Sequence, residues 1–130
     1  MKNDKKYTTI TGASSGIGYA TAKAFAKRGK NLIIVARRED ELEKLKKEVF
    51  ELNSTLEVII KVCDLSVLSN VYQLYEGLKD YCIETWINNA GFGNYNSVAK
   101  QDLKKIETML RLNVEALTVL SSLMFVITKI

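Results

Sequence analysis

The 130-residue chain has no proline and no histidine, only two cysteines and one tryptophan, and just seven glycines. Without proline there is no Pro-rich linker to divide the chain into separate domains. The length suits one domain, since domains commonly run to roughly 100–200 residues. Without histidine, Cys63 and Cys82 cannot complete a cysteine–histidine zinc pattern, and two cysteines so far apart suggest no disulfide framework. No metal site is expected. Two buried thiols suit a reducing compartment, so the expected location is cytoplasmic. Long apolar runs are also missing. The basic start MKNDKKYTTI leads into none, which is unlike a secretory signal. The tail LTVLSSLMFVITKI is apolar but falls short of the ~20 residues of a membrane span, so a buried helix is expected and no membrane partner. Nor is charge of one sign gathered anywhere. Net charge is +4 with a pI near 9.0, yet Lys44, Lys46 and Lys47 alternate with Glu41, Glu43 and Glu48, as on a solvated helix face. A nucleic-acid partner would need a clustered basic face, and none is expected.

What is present is an alternation of two periods. Tyr7–Thr11 is short, β-branched and apolar, and reads as a strand. Ile17–Arg28 follows at helical spacing, with Ile17, Ala20, Ala24 and Phe25 on its apolar face. Gly29 suits the left-handed position that closes a helix. Asn31–Ala36 is a continuous apolar run, as in a strand covered on both faces. Glu39–Leu52 reads as a charged helix with Leu42, Leu45, Val49 and Leu52 on one side. Leu56–Cys63 is a third strand. Val67–Tyr81 is a third helix, with Val71, Leu74, Tyr75 and Leu78 inward. Thr85–Asn88 reads as a short fourth strand, NAGFGNYNS as a loop, and about Lys100 to Thr128 as a long final helix.

Strands alternating with helices imply parallel strands joined by right-handed crossovers. The expectation is one α/β domain over residues 1–130, a Rossmann-like, doubly wound parallel sheet of order 3-2-1-4 that stops after the fourth helix. The final helix carries two apolar stripes. One is Leu103, Ile106, Leu110, Val114 and Leu117; the other is Met109, Leu112, Ala116, Val119, Leu123 and Val126. Only one can face the sheet, so the other calls for cover from more chain or a second subunit, and a homo-oligomer is expected.

Three of the seven glycines sit in TTITGASSGIG, directly behind the first strand. A doubly wound sheet binds nucleotides at such a turn. Glycines let the backbone turn sharply and let a pyrophosphate approach. The helix beginning near Ser15 aims free N–H groups and its positive dipole end at that anion, and Ser14 and Ser15 add hydroxyls. It is no P-loop, because Tyr19 follows Gly18 where that motif needs Lys-Ser/Thr.

The spacing is T-G-x-x-x-G-x-G, at Thr11, Gly12, Gly16 and Gly18. With NNAG at Asn88–Gly91, it closely resembles the short-chain dehydrogenase/reductase family, from about Lys6 to about Ser122. The resemblance implies that Gly12, Gly16 and Gly18 bind cofactor, with Ser14, Ser15 and Ile17 touching it. It makes Asp64, with Leu65 beside it, the adenine contact; a helix N-cap or turn residue is the plainer role for Asp64. It makes Asn88 the residue tying the fourth strand to its neighbours, and puts Asn89, Ala90 and Gly91 along the cofactor cleft, where a polar turn would otherwise do.

An NAD site usually ends its second strand with an acidic residue. Here that place holds Arg37 and Arg38. A guanidinium fork can bind a 2′-phosphate bidentately, and two arginines at a helix start oppose its dipole. NADP(H) is therefore the expected cofactor; pairing of both arginines with Glu39, Asp40 or Glu41 is the surface alternative.

Family chemistry uses a tyrosine, a lysine four residues later, an upstream serine and an asparagine on the fourth helix. Asn113, in RLNVEAL, matches the asparagine, with Val114 next to the nicotinamide end; a polar residue on a half-buried helix is the plainer reading. The tyrosine and lysine belong beyond a fifth strand, and the chain ends seventeen residues after Asn113. Tyr75–Lys79 has the spacing but sits before the fourth strand, where Tyr75 reads as core. Ser121 and Ser122 come too early for the serine. The expectation is the cofactor-binding part of an NADP-dependent oxidoreductase acting on a small carbonyl or alcohol, inactive as this chain alone. The alternative is a catalytically silent nucleotide-binding or self-associating module.

Overall fold

The computed structural model describes residues 5–91 and 102–127, with side chains to 124 at the C-terminal end. Four strands, β1 (Lys6–Thr11), β2 (Asn31–Ala36), β3 (Val58–Val62) and β4 (Cys82–Ile87), form one parallel sheet in the order β3-β2-β1-β4. Three helices connect them: α1 (Gly16–Lys27), α2 (Glu39–Leu52) and α3 (Leu68–Leu78). After β4 comes one continuous helical rod, α4 (Leu103–Leu110), a π-helical turn (Arg111–Ala116) and α5 (Leu117–Ile127). This is the doubly wound architecture expected from the alternation. Among the described residues no helix is long and apolar enough to cross a membrane.

The central strands explain the arrangement. β2 is buried from Leu32 to Ala36, and its alternate side chains enter two separate cores. Ile33 and Val35 pack with Tyr7, Val71, Leu74, Leu78 and the rod residues Leu112, Ala116, Leu120 and Met124. Leu32 and Ile34 pack with Ile10, Ala22, Ala26, Leu42, Leu45 and Val49. A side-chain period of two thus sends one strand's residues to helices on both faces.

Several boundaries and faces differ from the sequence reading. β3 is shorter than Leu56–Cys63. β4 begins at Cys82, three residues before Thr85, and α3 stops at Leu78. The inward face of α1 is not Ile17, Ala20 and Ala24. It is Gly18, Ala22 and Ala26, with Phe25 half-buried against them, while Ile17 is 78% exposed. The helix lies close to the glycine loop, and only small side chains fit beneath it. Leu52 is exposed rather than inward. On the final rod, the Leu112–Ala116 stripe faces the sheet and is extended by Leu120 and Met124. Leu103, Leu110, Val114 and Leu117 remain exposed.

Helices α1 and α2 are clamped by Glu48, which accepts hydrogen bonds from the Tyr19 hydroxyl and from Lys23 Nζ (3.1 Å). Burial, then the Glu48 bond, pushes the Tyr19 hydroxyl from 10.0 up to about 12. A raised tyrosine pKa means the folded chain holds its proton longer than the unfolded one. Stability drawn from this clamp should be intact below pH 10 and decline as pH climbs towards 12. Urea midpoints measured at pH 8, 10 and 11 should fall more steeply for the wild type than for Tyr19→Phe. Parallel slopes would disprove the coupling.

Candidate functional site

The site lies at the carboxyl ends of β1, β2 and β4. Thr11, the last residue of β1, organises it. Its Oγ1 accepts hydrogen bonds from the backbone N–H groups of Asn89 (2.9 Å) and Ala90 (3.0 Å) and faces the Ile87 carbonyl at 3.4 Å. The Asn89 side chain donates to the Gly12 carbonyl at 3.2 Å. The turn after β4 is therefore laced to the loop after β1. This tie is made by Asn89, not Asn88 as expected from the resemblance. The Asn88 amide instead donates to Ser121 Oγ (3.0 Å) on the final helix.

Two glycines permit that closeness. Gly12 has φ +65°, and a Cβ there would stand 2.8 Å from the Ala90 Cα. Gly18 is buried in α1, and its Cβ would overlap the Gly12 carbonyl oxygen and the Asn89 amide. Backbone and strand ends fill the space a side chain would need.

The cleft so formed has a volume of about 420 Å³. It gathers Gly12, Ser14, Ser15, Gly16 and Ile17 from the loop, Arg37 and Arg38 from the end of β2, Leu65 from the end of β3, and Asn89, Ala90 and Gly91. Val35, Ala36, Cys63 and Leu112 complete the wall and were not foreseen. Hydrophobic periodicity marked Val35, Ala36 and Leu112 as core, and nothing marked their tips as wall. Gly18 lies beneath the cleft rather than in its wall. At the start of α1, Ser15 makes no side-chain cap and the first turn holds no acid. The free N–H groups there are left for an anion.

Arg37 and Arg38 are both exposed and make no ion pair among the described residues, so the expected alternative with Glu39, Asp40 or Glu41 is not what the structure has. Those three acids occupy the first turn of α2 and complement its dipole. The dipole therefore gives no separate reason for a ligand. The place of both guanidiniums on the cleft wall does.

Asp64 is not in that wall; it lines a neighbouring cavity with Arg37. It caps no helix. Its Oδ1 accepts from the Ser66 N–H (3.0 Å) and hydroxyl (2.6 Å), while Val67 stands at the N-cap of α3. Burial would raise its pKa, but the Ser66 hydrogen bonds and the nearby Arg37 charge prevail and hold it below the ordinary value. The adjacent Cys63 thiol goes the other way, pushed up to about 11 by burial and then by Asp64, so it stays a protonated packing group.

Asn113 sits in the π-helical turn, where an inserted residue shifts side chains around the rod. Its side-chain oxygen occupies the place a Gly91 Cβ would take, which sets it at the end of the NNAG turn. Val114 is 55% exposed and outside the wall. Tyr75 packs against the core with Lys79 Nζ 5.3 Å from its ring, away from the cleft. A second pair of the same spacing, Tyr19–Lys23, escaped the sequence reading. Both of its members are engaged by Glu48, and a tyrosine pKa raised to about 12 is the reverse of what a proton donor near neutrality needs.

Fold and site together define a dinucleotide-type α/β domain, with a glycine loop opening a helix at the switch point of the sheet. A profile of the short chain dehydrogenases matches residues 6–127, and the chain belongs to that family. It is 37% identical over 108 residues to the 7beta-hydroxysteroid dehydrogenase of Clostridium sardiniense, covering 81% of this chain and 40% of that one. The short-chain dehydrogenase of Sphingobium yanoikuyae, solved in complex with NADPH, superposes with a TM-score of 0.83 at 33% identity, over 92% of this chain and 46% of that one. An alcohol dehydrogenase from the archaeon Thermococcus sibiricus, solved with 5-hydroxy-NADP, gives 0.85 at 26% identity, over 95% and 53%. The chain spans between 25% and 48% of the length of the first curated relatives it matches.

Proposed function

We propose that this chain binds NADP(H) and is the cofactor-binding part of an oxidoreductase that passes hydride between NADP(H) and a small carbonyl or alcohol compound. The observation that carries the reading is the meeting of an uncapped α1 N-terminus with two guanidiniums on one cleft wall that have no ion pair among the described residues. The N–H groups suit a pyrophosphate and the guanidiniums suit a 2′-phosphate. Relatives solved with NADPH and 5-hydroxy-NADP support it. Asn113 is assigned a proton-relay role beside the nicotinamide. The cofactor would supply the hydride; the residues of this chain bind and orient it.

Among the described residues no tyrosine and no lysine lines the cleft. A general acid typically contributes about 10²–10⁴-fold. The chain alone is therefore assigned little NADPH-oxidising activity towards aldehydes and ketones. Titration against NADPH and NADH, followed by nicotinamide fluorescence, should give saturable binding that favours NADPH. Arg37→Asp removes a charge-assisted contact, and NADPH affinity should fall by roughly 10–100-fold while NADH binding holds or improves. If the variant still prefers NADPH, Arg37 does not hold the 2′-phosphate.

A second reading, a catalytically silent self-associating module, draws on the exposed Leu103, Leu110, Val114 and Leu117 and on β4 as a sheet edge. Light scattering that finds only monomer would count against it.

A further inference from the structure

Beside the nucleotide cleft, and sharing Arg37 and Cys63 with it, a cavity of about 390 Å³ lies between β3 and α3 at the edge of the sheet. Its lining is apolar at Val62, Leu74 and Gly77 and polar at Asn70 and Gln73, and two cations stand at it, Lys61 and Arg37. Neither makes an ion pair among the described residues. Gly77 adds an independent clue. A helical glycine is roughly 1 kcal/mol less favourable than alanine. Among the described residues nothing calls for it: φ is not left-handed, and an added Cβ would meet only Lys61 Nζ, at an unstrained 3.6 Å. The missing side chain leaves that side of the cavity open.

We propose that this cavity binds a monoanionic organic acid, a carboxylate on a flat or short apolar body. The body would lie on Leu74 and Gly77, and the carboxylate between Lys61 and Arg37. Charge sets the class. Two cations face one carboxylate, Asp64, whose Oδ1 is already occupied by Ser66. The wall therefore carries one net positive charge, which a monoanion neutralises and a phosphate dianion would overshoot. Buried surface on an apolar floor then adds affinity that inorganic anions cannot obtain.

The test uses the whole chain without nucleotide, so that it stands apart from the NADP(H) reading. The probe is 4-(trifluoromethyl)benzoate, followed by ¹⁹F NMR, with the neutral 4-(trifluoromethyl)benzamide as control. Saturable benzoate binding is expected, at least about tenfold tighter than the amide. Gly77→Leu should abolish it by filling the floor, and it replaces glycine by a better helix former, so folding is kept. Lys61→Met should weaken it by about tenfold. Equal binding of the amide, or benzoate binding unchanged in both variants, would overturn the proposal, as would no saturable binding by the wild type.

Discussion

Gly18→Ala should be among the most damaging additions of one methyl group to this chain. The new Cβ would overlap the Gly12 carbonyl and the Asn89 side-chain amide. The first is backbone in the loop, and the second is the hydrogen bond that holds loop and turn together. Neither can yield without opening the cleft. Overpacking of this kind costs about 3 kcal/mol or slightly more when backbone must move. Gly16→Ala is the control: it has φ +59° but no described residue within 4 Å of an added Cβ, so only left-handed strain of about 1–2 kcal/mol remains. Urea unfolding should rank Gly18→Ala well below Gly16→Ala, with nicotinamide nucleotide binding lost in the former. Equal losses would mean that helix α1 does not rest on the loop as described.

Thr11→Val is the second large effect. The side chains are nearly the same shape, so packing is kept and the hydroxyl alone is removed. Two backbone N–H groups, of Asn89 and Ala90, lose their acceptor. An unsatisfied donor costs about 1–3 kcal/mol, and both residues are only half-buried, so about 2–4 kcal/mol is expected in total. Thr11→Ser, which retains the oxygen, should recover most of it. Amide hydrogen exchange at Asn89 and Ala90 should quicken in the valine variant. Thr9→Val gives the contrast within the same strand. Its hydroxyl is buried with no partner among the described residues, so its removal should be neutral or stabilising. Matching losses at positions 9 and 11 would show that burial, not the double acceptor, matters.

The features legible from sequence were those with a strong local signal. β2 and α2 have the expected ends because an apolar run and a clean helical stripe admit few alternatives. The strand order followed from alternation and chirality. β4 is longer than its apolar pattern indicates because Glu84 breaks that pattern; the Glu84 side chain is exposed and pairs with Lys30 at 3.4 Å. The buried face of α1 is hidden in the sequence because glycine and alanine carry little hydrophobic weight, though they are what a close approach requires. Ile17 carries much, and it points outward. The glycine loop and the arginines could be located, since each rests on a short motif. The role of Thr11 could not, because it depends on residues 78 and 79 positions away meeting one oxygen. The π-helical turn at Asn113 has no local signature at all.

The strand order also dictates how the chain can fold as it is synthesised. β1 leaves the ribosome first, yet it lies inside the sheet with β2 on one side and β4 on the other. Its pairing with β2 needs about one βαβ unit of chain. Its pairing with β4 must wait until Ile87 has emerged. Until then one whole flank of β1 stays open, and the Thr11 hydroxyl has no turn to hold. The nascent chain would first form a β1-α1-β2 unit, and the nucleotide cleft would be the last local structure to close. A translational pause between Leu52 and Ile87 would thus prolong the interval in which that open flank can meet a chaperone or another nascent chain.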